Sequence, residues 1–438
     1  MLTLYSLALL LVLVAGSPWW LLRMVTSGKY REGLAERLGR VPKRVRRALG
    51  GEQRIWVHAV SVGEVVAASR LVEELDRQLN EGAGPNAGAW RVMVSTTTRT
   101  GQALARERFG AERVFYFPLD FGWAVRAWLR AIRPRMLVLA ETEFWPRVLA
   151  ECRRAGIPVA VVNARISDRS WPRYRRLAPL WRRILRGISV ALAQSELDAG
   201  RLRALGVTNV QVTGNLKFDV RVAQPAAVTT LLRNNLSPGA KVLVCGSTLA
   251  GEEEWLLDAL PAETVTILAP RHPERFGEVA DLLERRGARW GRRSTWASAP
   301  EPIEPGMVFL LDSIGELASV YSLATAAFVG GSLVAAGGHN PLEAAQFGVP
   351  VAMGTSTENF RGIVETLRAR QAILLVERAQ LRSGLTEVLS RSAEMQAMGT
   401  RGREVFENEA GATERSVRTL LAVLRAESVP AAHAEARR

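Results

Sequence analysis

The sequence predicts an α/β protein built from two consecutive doubly wound, Rossmann-like domains. Its 438 residues exceed what one hydrophobic core usually organises, so two domains are expected. Short apolar runs rich in Val, Ile and Leu alternate with longer amphipathic stretches, which is typical of buried parallel strands connected by helices. A polar, proline-containing segment at 222–240 interrupts this rhythm, which then restarts. Two such domains are expected to face each other across a cleft at the carboxyl ends of their strands.

The apolar runs place the predicted strands and the domain boundaries. In the first domain they lie at 54–60, 91–95, 113–117, 136–140, 158–162, 190–193 and 210–213. In the second domain they lie at 241–246, 264–269, 308–312, 327–330, 349–353 and 372–376. Helical stretches such as 64–78 and 99–108 lie between them. We therefore expect domains at 28–228 and 229–425, followed by a disordered tail at 426–438.

Residues 1–27 are predicted to form a single membrane anchor. The stretch 2–22 carries no charge, and at ~1.5 Å per helical residue it is long enough for a ~30 Å hydrocarbon layer. Trp19 and Trp20 lie at its far end, where interfacial aromatic residues occur. Nine Lys and Arg against two acids between 23 and 47 predict an inner-membrane protein with its domains on the cytoplasmic face. A cleaved signal peptide is the alternative, but no basic segment precedes the apolar run.

The charge balance favours anionic partners. Lys and Arg number 58 against 43 Asp and Glu, a net charge of +15, which attracts nucleic acid, anionic lipid and phosphorylated substrates alike. Aromatic-studded RNA motifs and a helix-turn-helix pattern are missing from the sequence, so no nucleic-acid partner is expected. The two cysteines and four histidines are too scattered for a metal site, and the dinucleotide and P-loop glycine motifs do not occur. We therefore expect neither a metal nor a cofactor.

Charged side chains follow three strands of the first predicted domain. Glu64 begins a helix and is a candidate general base, a role worth ~10²–10⁴ in rate; complementing the helix dipole is the alternative. Glu141 and Glu143 follow the fourth strand and so lie at the expected edge of the cleft; the alternative interpretation is that they cap the N-terminus of a helix. Lys217 follows the last strand and could either meet an anionic donor group or be one of many solvated cations.

The second predicted domain carries a candidate nucleotide-sugar site. Arg271 lies between two prolines after a strand, and a guanidinium suits bidentate recognition of phosphate. Glycine-rich segments occur at 330–332 and 337–343, and the latter is predicted to open a helix with Asn340 as its N-cap. Free N–H groups at such a helix start bind phosphate, and Glu343 could accept both hydroxyls of a ribose. Together these features predict a nucleotide mono- or diphosphate sugar as the donor.

Seven motifs stand out along the chain: SVGE at 61–64, ETEFWP at 141–146, NARIS at 163–167, GNLKFD at 214–219, PRHPERF at 270–276, GEL at 315–317 and GGSLVAAGGHNPLEAA at 330–345. Each alone is unspecific, whereas their combination is highly specific. The chain resembles the 3-deoxy-D-manno-octulosonic acid (Kdo) transferases of Gram-negative bacteria, which have the two-domain GT-B fold. The resemblance runs from the N-terminus to about residue 425.

The resemblance implies an inverting glycosyltransferase of lipopolysaccharide core biosynthesis. Such an enzyme moves Kdo from CMP-Kdo to a 6′-hydroxyl of the acylated, bisphosphorylated disaccharide precursor of lipid A. The first domain would bind this acceptor and the second the CMP-sugar. The family's general base falls on Glu64, and its groups assisting the transition state fall on Glu141 and Lys217. Its CMP contacts fall on Pro270, Arg271, Ile314, Gly315, Glu316, Asn340, Pro341, Leu342 and Glu343.

One position departs from the family pattern. Leu249 stands where related sequences often carry a polar or basic residue, which puts a donor or acceptor contact from that side chain in doubt; the acids that follow at 252–254 are interpreted as a helix start.

The alternative function is another GT-B transferase that uses a UDP-sugar and a lipid acceptor. Membrane lipids are a further predicted partner, with the amphipathic, Arg- and Trp-rich segment 170–186 either facing them or forming a solvated helix. The number of Kdo residues added, the acyl-chain preference and the oligomeric state do not follow from the sequence.

Overall fold

The structure of the protein is a computed structural model that describes residues 2–26, 32–50, 53–81, 89–222, 224–296 and 302–428. The chain divides into two units, the first formed by Met1–Val220 with Ala410–Arg438 and the second by Arg221–Glu409. Each unit contains a parallel β-sheet flanked by helices. The predicted fold of two Rossmann-like α/β units is confirmed. The predicted cleft between the two domains stays a prediction.

Among the described residues, seven parallel strands form the sheet of the first unit. Their order is β3-β2-β1-β4-β5-β6-β7, so the chain begins inside the sheet and extends it in both directions, as in a doubly wound fold. The strands are β1 Gln53–His58, β2 Trp90–Thr96, β3 Val114–Tyr116, β4 Met136–Ala140, β5 Val159–Ala164, β6 Ile188–Ala193 and β7 Val210–Val212.

Helices accompany the strands of the first unit, and apolar cores lie on both faces of its sheet. They are α1 Leu2–Thr26, α2 Leu34–Arg37, α3 Lys43–Arg47, α4 Val62–Asn80, α5 Arg99–Phe109, α6 Gly122–Ile132, α7 Pro146–Arg154, α8 Trp171–Arg176, α9 Ala178–Leu185 and α10 Glu196–Ala204. Neighbouring residues of β1 point to opposite faces, because side chains alternate along a strand. Trp56 packs against Phe115 in one core, and Val57 packs with Leu71 of α4 in the other.

The described residues of the second unit form another parallel sheet of seven strands, in the order β10-β11-β9-β8-β12-β13-β14. The strands are β8 Lys241–Thr248, β9 Thr264–Pro270, β10 Arg289–Arg292, β11 Met307–Leu310, β12 Ala326–Val329, β13 Val351–Met353 and β14 Leu374–Leu375. Strand β10 is an addition to the predicted set. Its sequence is short and polar and it lies at the sheet edge, so it lacks the apolar run of a buried strand.

Helices of the second unit bury their apolar sides against this sheet. They are α11 Ala227–Asn235, α12 Glu252–Ala259, α13 Phe276–Arg285, α14 Leu317–Val320, α15 Leu342–Ala345, α16 Arg361–Ala369, α17 Leu381–Val388 and α18 Ala393–Asn408. Leu243, Leu268 and Phe328 of the three central strands form the core together with Leu283 of α13. Loops at the ends of these strands are therefore attached to a well-packed sheet.

The last helix, α19 (Ala412–Ser428), belongs to the first unit. The carboxylate of Asp219 accepts hydrogen bonds from the N–H groups of Gly411 at 2.6 Å and Thr413 at 2.5 Å, and Leu420 is buried in the first unit's core. The sequence predicts this stretch as part of the second domain, at 229–425, because an amphipathic pattern does not reveal which sheet a helix packs against. Residues 429–438 of the predicted tail lie outside the described residues.

The N-terminal helix α1 contains the uncharged stretch 2–22 of the predicted anchor, of which residues 1 and 27 lie outside the described residues. Within the described part of the chain, no helix combines the length and the apolar character needed to cross a membrane. The predicted anchor is thus not confirmed.

Candidate active site

Glu64 lies in the first turn of α4, just after the loop that follows β1. Its Oε2 accepts a hydrogen bond from the Val60 N–H at 2.8 Å, and its Oε1 accepts one from the Ser61 hydroxyl at 3.1 Å. The side chain is half-buried and not sealed in the interior. Because a carboxylate has about four acceptor positions, these two bonds orient it and leave others for a substrate hydroxyl.

The pKa of the Glu64 carboxyl is raised to about 7, first by burial and then by the negative charge of Glu141. The hydrogen bonds from Val60 and Ser61 oppose this shift, whereas the charge of Glu143 adds to it. A carboxyl with such a pKa is partly ionised at neutral pH and can take up a proton from a reacting hydroxyl. This property is the one that a general base requires.

Glu141 follows β4 and has a left-handed backbone conformation, with φ 58°. For a residue other than glycine this conformation costs about 1–3 kcal/mol and is found preferentially at functional sites. The Glu141 N–H donates to the Val162 carbonyl at 2.8 Å, which holds the strained turn in place. Its carboxylate Oε1 lies 4.0 Å from the Lys217 Nζ, so the two predicted assisting groups form an ion pair.

Glu143 is a third carboxyl in this cluster and was absent from the predicted site residues. Burial raises its pKa, a hydrogen bond from Trp145 lowers it, and the charge of Glu141 raises it. The Trp145 Nε1–H donates to the carboxylate at 2.9 Å. The electrostatic coupling of Glu143 to Glu141, and of both to Glu64, places all three carboxyls in one neighbourhood.

A hydrogen-bond network positions Lys217 at the start of a short 3₁₀ helix, Leu216–Asp219. The Asn215 side chain accepts from the Lys217 N–H at 3.0 Å and donates to Gln194 Oε1 at 3.0 Å. Asn163 Oδ1 accepts from the Leu216 N–H at 3.0 Å. The NARIS and GNLKFD motifs thus meet at this point, and both contribute to the orientation of the lysine.

In the second unit, Arg271 directly follows β9. Its N–H donates to the Thr248 carbonyl at 3.0 Å, while its side chain is exposed and Pro270 before it is buried. Burial raises the pKa of Glu343, and the positive charge of Arg271 opposes that shift. Asn340 also lowers the pKa of Glu343 through a side-chain hydrogen bond. The structure therefore brings together Arg271, Asn340 and Glu343, which come from two separate motifs.

The helix predicted to open at this point is a single turn, α15, and the Asn340 Oδ1 accepts from the Leu342 N–H at 3.2 Å. A one-turn helix has only a weak dipole, so the helix itself contributes little positive potential at this point. His339, which was not predicted, lies beside Arg271; its pKa is lowered to about 4 by burial and then by the charges of Arg271 and His272. His339 is therefore neutral at neutral pH.

The third predicted CMP segment, 314–316, is a loop that begins α14. Ile314 is 78% exposed, and Gly315 has a left-handed backbone with φ 84°. The Glu316 carboxylate accepts from Arg293 Nε at 3.2 Å and also binds the Ser313 hydroxyl. In the described part of the chain, no hydrogen bond or ion pair joins this loop to Arg271 or to the residues at 340–343.

The described residues contain no group of three or more His, Cys, Asp and Glu side chains arranged to hold a metal ion.

Comparison with known proteins places this geometry in a family. The family model described as 3-deoxy-D-manno-octulosonic-acid transferase (kdotransferase) matches residues 32–220. The 3-deoxy-D-manno-octulosonic acid transferase of Haemophilus influenzae is 34% identical over 404 residues, which are 89% of this chain and 91% of that protein. The enzyme of the same name from Bordetella pertussis is 35% identical over 389 residues, 84% of this chain and 86% of that protein.

Solved structures show the same fold at low identity. An S. aureus MnaA–UDP co-structure is 14% identical, covers 85% of this chain and 97% of that chain, and has a TM-score of 0.55. The UDP-GlcNAc 2-epimerase of Neisseria meningitidis bound to UDP-GlcNAc is likewise 14% identical, covers 84% of this chain and 100% of that chain, and has a TM-score of 0.55. These likenesses concern the fold, whereas the sequence matches over most of the chain confirm the predicted glycosyltransferase and its family. The chain belongs to the 3-deoxy-D-manno-octulosonic acid (Kdo) transferase family.

Proposed function

We propose that this Kdo transferase moves Kdo from CMP-Kdo to a hydroxyl of the acylated, bisphosphorylated precursor of lipid A, with inversion at the anomeric carbon. One observation carries the assignment of roles: a half-buried Glu64 carboxyl, with its pKa raised to about 7, lies beside the Glu141–Lys217 ion pair. This combination provides a base and a cation within one cluster. The family relationship supplies the identity of the transferred sugar.

The proposed reaction is a single displacement. The acceptor hydroxyl gives its proton to the Glu64 carboxylate as its oxygen attacks the anomeric carbon of Kdo. The bond between that carbon and the phosphate oxygen breaks, and CMP leaves with the electron pair. Lys217, oriented by Asn215 and held near Glu141, offers positive charge to the anionic donor as negative charge moves to the phosphate.

The nucleotide is assigned to the second unit. Arg271 is exposed and available to a phosphate, and the half-buried carboxylate of Glu343 next to it can accept hydrogen bonds from ribose hydroxyls. Pro270, Pro341 and Leu342 are buried and contribute to the packing of these segments, and the exposed Ile314 with Gly315 and Glu316 forms the third segment.

The test of this assignment is a competition titration of the full-length protein in detergent with CMP and UMP. We expect CMP to bind about tenfold more tightly or better, because a site that reads the cytosine amino group leaves buried groups unpaired with uracil. Mass spectrometry of the product made from CMP-Kdo and purified lipid A precursor should then show added Kdo. A clear preference for UMP would instead support the alternative, a GT-B transferase that uses a UDP-sugar.

Membrane attachment is a further part of the proposal. No acidic residue occurs from 169 to 195, and within this stretch the exposed Leu177 and Leu180 accompany exposed arginines on α8 and α9. A surface recess of about 580 Å³ is lined by Arg153, Pro179, Arg182, Arg183 and Arg186. Arginines beside exposed leucines are the pattern of a surface that lies on anionic lipid. We propose that this surface, together with residues 1–27, holds the enzyme where its acceptor occurs.

Substitution of three arginines of the recess by Ser is expected to reduce binding to phosphatidylglycerol vesicles by about 100-fold, since each basic residue near an anionic membrane contributes about 1 kcal/mol. Binding to phosphatidylcholine vesicles should not change. The affected residues are Arg182, Arg183 and Arg186, and three exposed arginines of the second unit serve as the matched control: Arg285, Arg368 and Arg370. Equal losses in both triple variants would contradict a dedicated lipid-facing surface.

A further inference from the structure

Two adjacent acids at the start of α12, Glu252 and Glu253, are fully buried, whereas the next residue, Glu254, is exposed. Starting a helix, the role that the sequence suggested for these acids, does not require burial. A buried carboxylate is costly unless several donors satisfy it. The contacts of these two acids therefore indicate a function beyond starting a helix.

The Glu252 carboxylate accepts four backbone hydrogen bonds. Its Oε2 accepts from the N–H groups of Gly331 at 2.6 Å and Leu249 at 2.9 Å, and its Oε1 accepts from those of Ser332 and Leu333, both at 2.9 Å. Three successive N–H groups that converge on one point form a nest of the kind that binds phosphate. In this protein the nest is filled by the chain's own carboxylate, so the turn at 330–333 has no free nest for the donor's phosphate.

The loop at 330–333, which Glu252 fixes, also fixes the segment that carries the proposed CMP contacts. The carbonyl of Gly331 accepts from the Gly338 N–H at 2.7 Å, and the carbonyl of Gly330 accepts from the His339 N–H at 3.1 Å. His339 directly precedes Asn340. A continuous series of hydrogen bonds thus leads from the buried carboxylate to the residues at 340–343. The contact with Leu249 uses only its backbone, so the unusual side chain at that position does not interrupt the series.

Glu253 makes the equivalent connection to the loop that carries Arg271, the other loop assigned to the nucleotide. Its carboxylate accepts two hydrogen bonds from Arg275, at 2.7 and 3.2 Å, and one from the Thr248 hydroxyl at 2.9 Å. The Thr248 carbonyl accepts from the Arg271 N–H at 3.0 Å. Arg271 and Arg275 belong to the same PRHPERF motif, so the loop that presents Arg271 is fixed at both of its ends.

We propose that Glu252 and Glu253 are positioning residues for nucleotide recognition: Glu252 orients the segment 340–343 and Glu253 orients Arg271. This inference rests on the proposed function, because it takes these two loops as the CMP site. Neither acid contacts the nucleotide itself. The buried Glu252 carboxylate substitutes for the anion that a glycine-rich turn would otherwise bind, and the Glu253 carboxylate holds the loop of Arg271 through Arg275 and Thr248, so both loops are ordered before the donor arrives.

Glu252→Gln in the full-length protein tests the first half of the proposal. The amide keeps the shape of the side chain but places an NH₂ group against backbone donors, and we expect the dissociation constant for CMP to rise about tenfold or more. Glu254→Gln, the exposed neighbour in the same helical turn, is the matched control and should change it less than twofold. Hydrogen exchange without nucleotide should be faster at 331–333 and 338–339 in Glu252→Gln only.

A residue with a purely structural role would lower the melting temperature but leave the CMP affinity of the folded protein unchanged. That outcome, or unchanged exchange protection at 338–339, overturns the proposal. If Glu252→Gln does not fold, the variant Arg275→Lys replaces it, since Lys keeps the charge but loses the bidentate hydrogen bonds to Glu253. CMP binding of this variant should weaken several-fold. Should the wild type bind no CMP, the proposed function fails, and the exchange measurement alone decides whether Glu252 orients the segment.

Discussion

Replacement of Glu64 by Gln is expected to lower kcat by ~10²–10⁴-fold, the range that general-base assistance contributes. The amide cannot accept the proton of the acceptor hydroxyl, yet its oxygen can still accept the hydrogen bond from Val60 that orients the side chain. The protein should therefore remain folded and bind CMP as the wild type does. Initial rates with CMP-Kdo and lipid A precursor measure kcat, and a CMP titration measures binding.

Glu73→Gln is the matched control for this variant, because Glu73 lies on the same helix, α4, and is exposed. Its kcat should stay within about twofold of the wild-type value, as for a surface substitution away from the site. Near-normal turnover of Glu64→Gln would remove Glu64 from the role of base. A loss of CMP binding in Glu64→Gln would instead point to general misfolding, which a melting curve would reveal.

The pH dependence gives an independent check of the same assignment. The base must be ionised, and its pKa is raised to about 7, so kcat should rise with pH and level off above about 7. Removing the negative charge of Glu141, which helps to raise this pKa, should move the midpoint to lower pH. The variant Glu141→Gln thus shifts the profile to the acid side even if it also lowers the maximal rate. A shift to the alkaline side would contradict the coupling of the two carboxyls.

Most of the strands were predictable because a strand buried on both faces is a continuous apolar run. Met136–Ala140 is an example in which every residue is apolar and buried. The placement of Glu64 and Arg271 was predictable for a related reason: each follows such a run, and loops at the carboxyl ends of parallel strands bind ligands.

Other features depend on tertiary contacts that local sequence does not encode. The acids Glu252 and Glu253 look the same in the sequence as the exposed Glu254, and only their partners at 331–333 and Arg275 distinguish them. The left-handed conformation of Glu141 could not be foreseen, because this conformation is usually adopted by glycine. The packing of α19 on the first unit likewise follows from Asp219, a residue almost 200 positions earlier in the chain.

Loss of the positive charge of Lys217 is expected to have the second largest effect on catalysis. Lys217→Met should lower kcat by ~10²–10³-fold, which is typical for the removal of one group that stabilises charge in the transition state. The ammonium group is 4.0 Å from Glu141 and its side chain is 19% exposed, so it is shielded from water and yet open to a ligand. Such a partly desolvated charge acts more strongly on a developing anion than a surface lysine does.

Two comparisons separate electrostatic assistance from a structural role of Lys217. Lys217→Arg keeps the charge but not its exact placement and should recover part of the lost rate, whereas Lys43→Met, an exposed lysine of the same unit, should be neutral in detergent. The midpoint of the pH profile should stay near 7 in Lys217→Met, because the charges that shift the pKa of Glu64 come from Glu141 and Glu143. A lowered rate with a displaced midpoint would mean that Lys217 acts through the base. A lowered rate with an unchanged midpoint would mean that the charge of Lys217 acts on the donor, where the bond to the phosphate breaks.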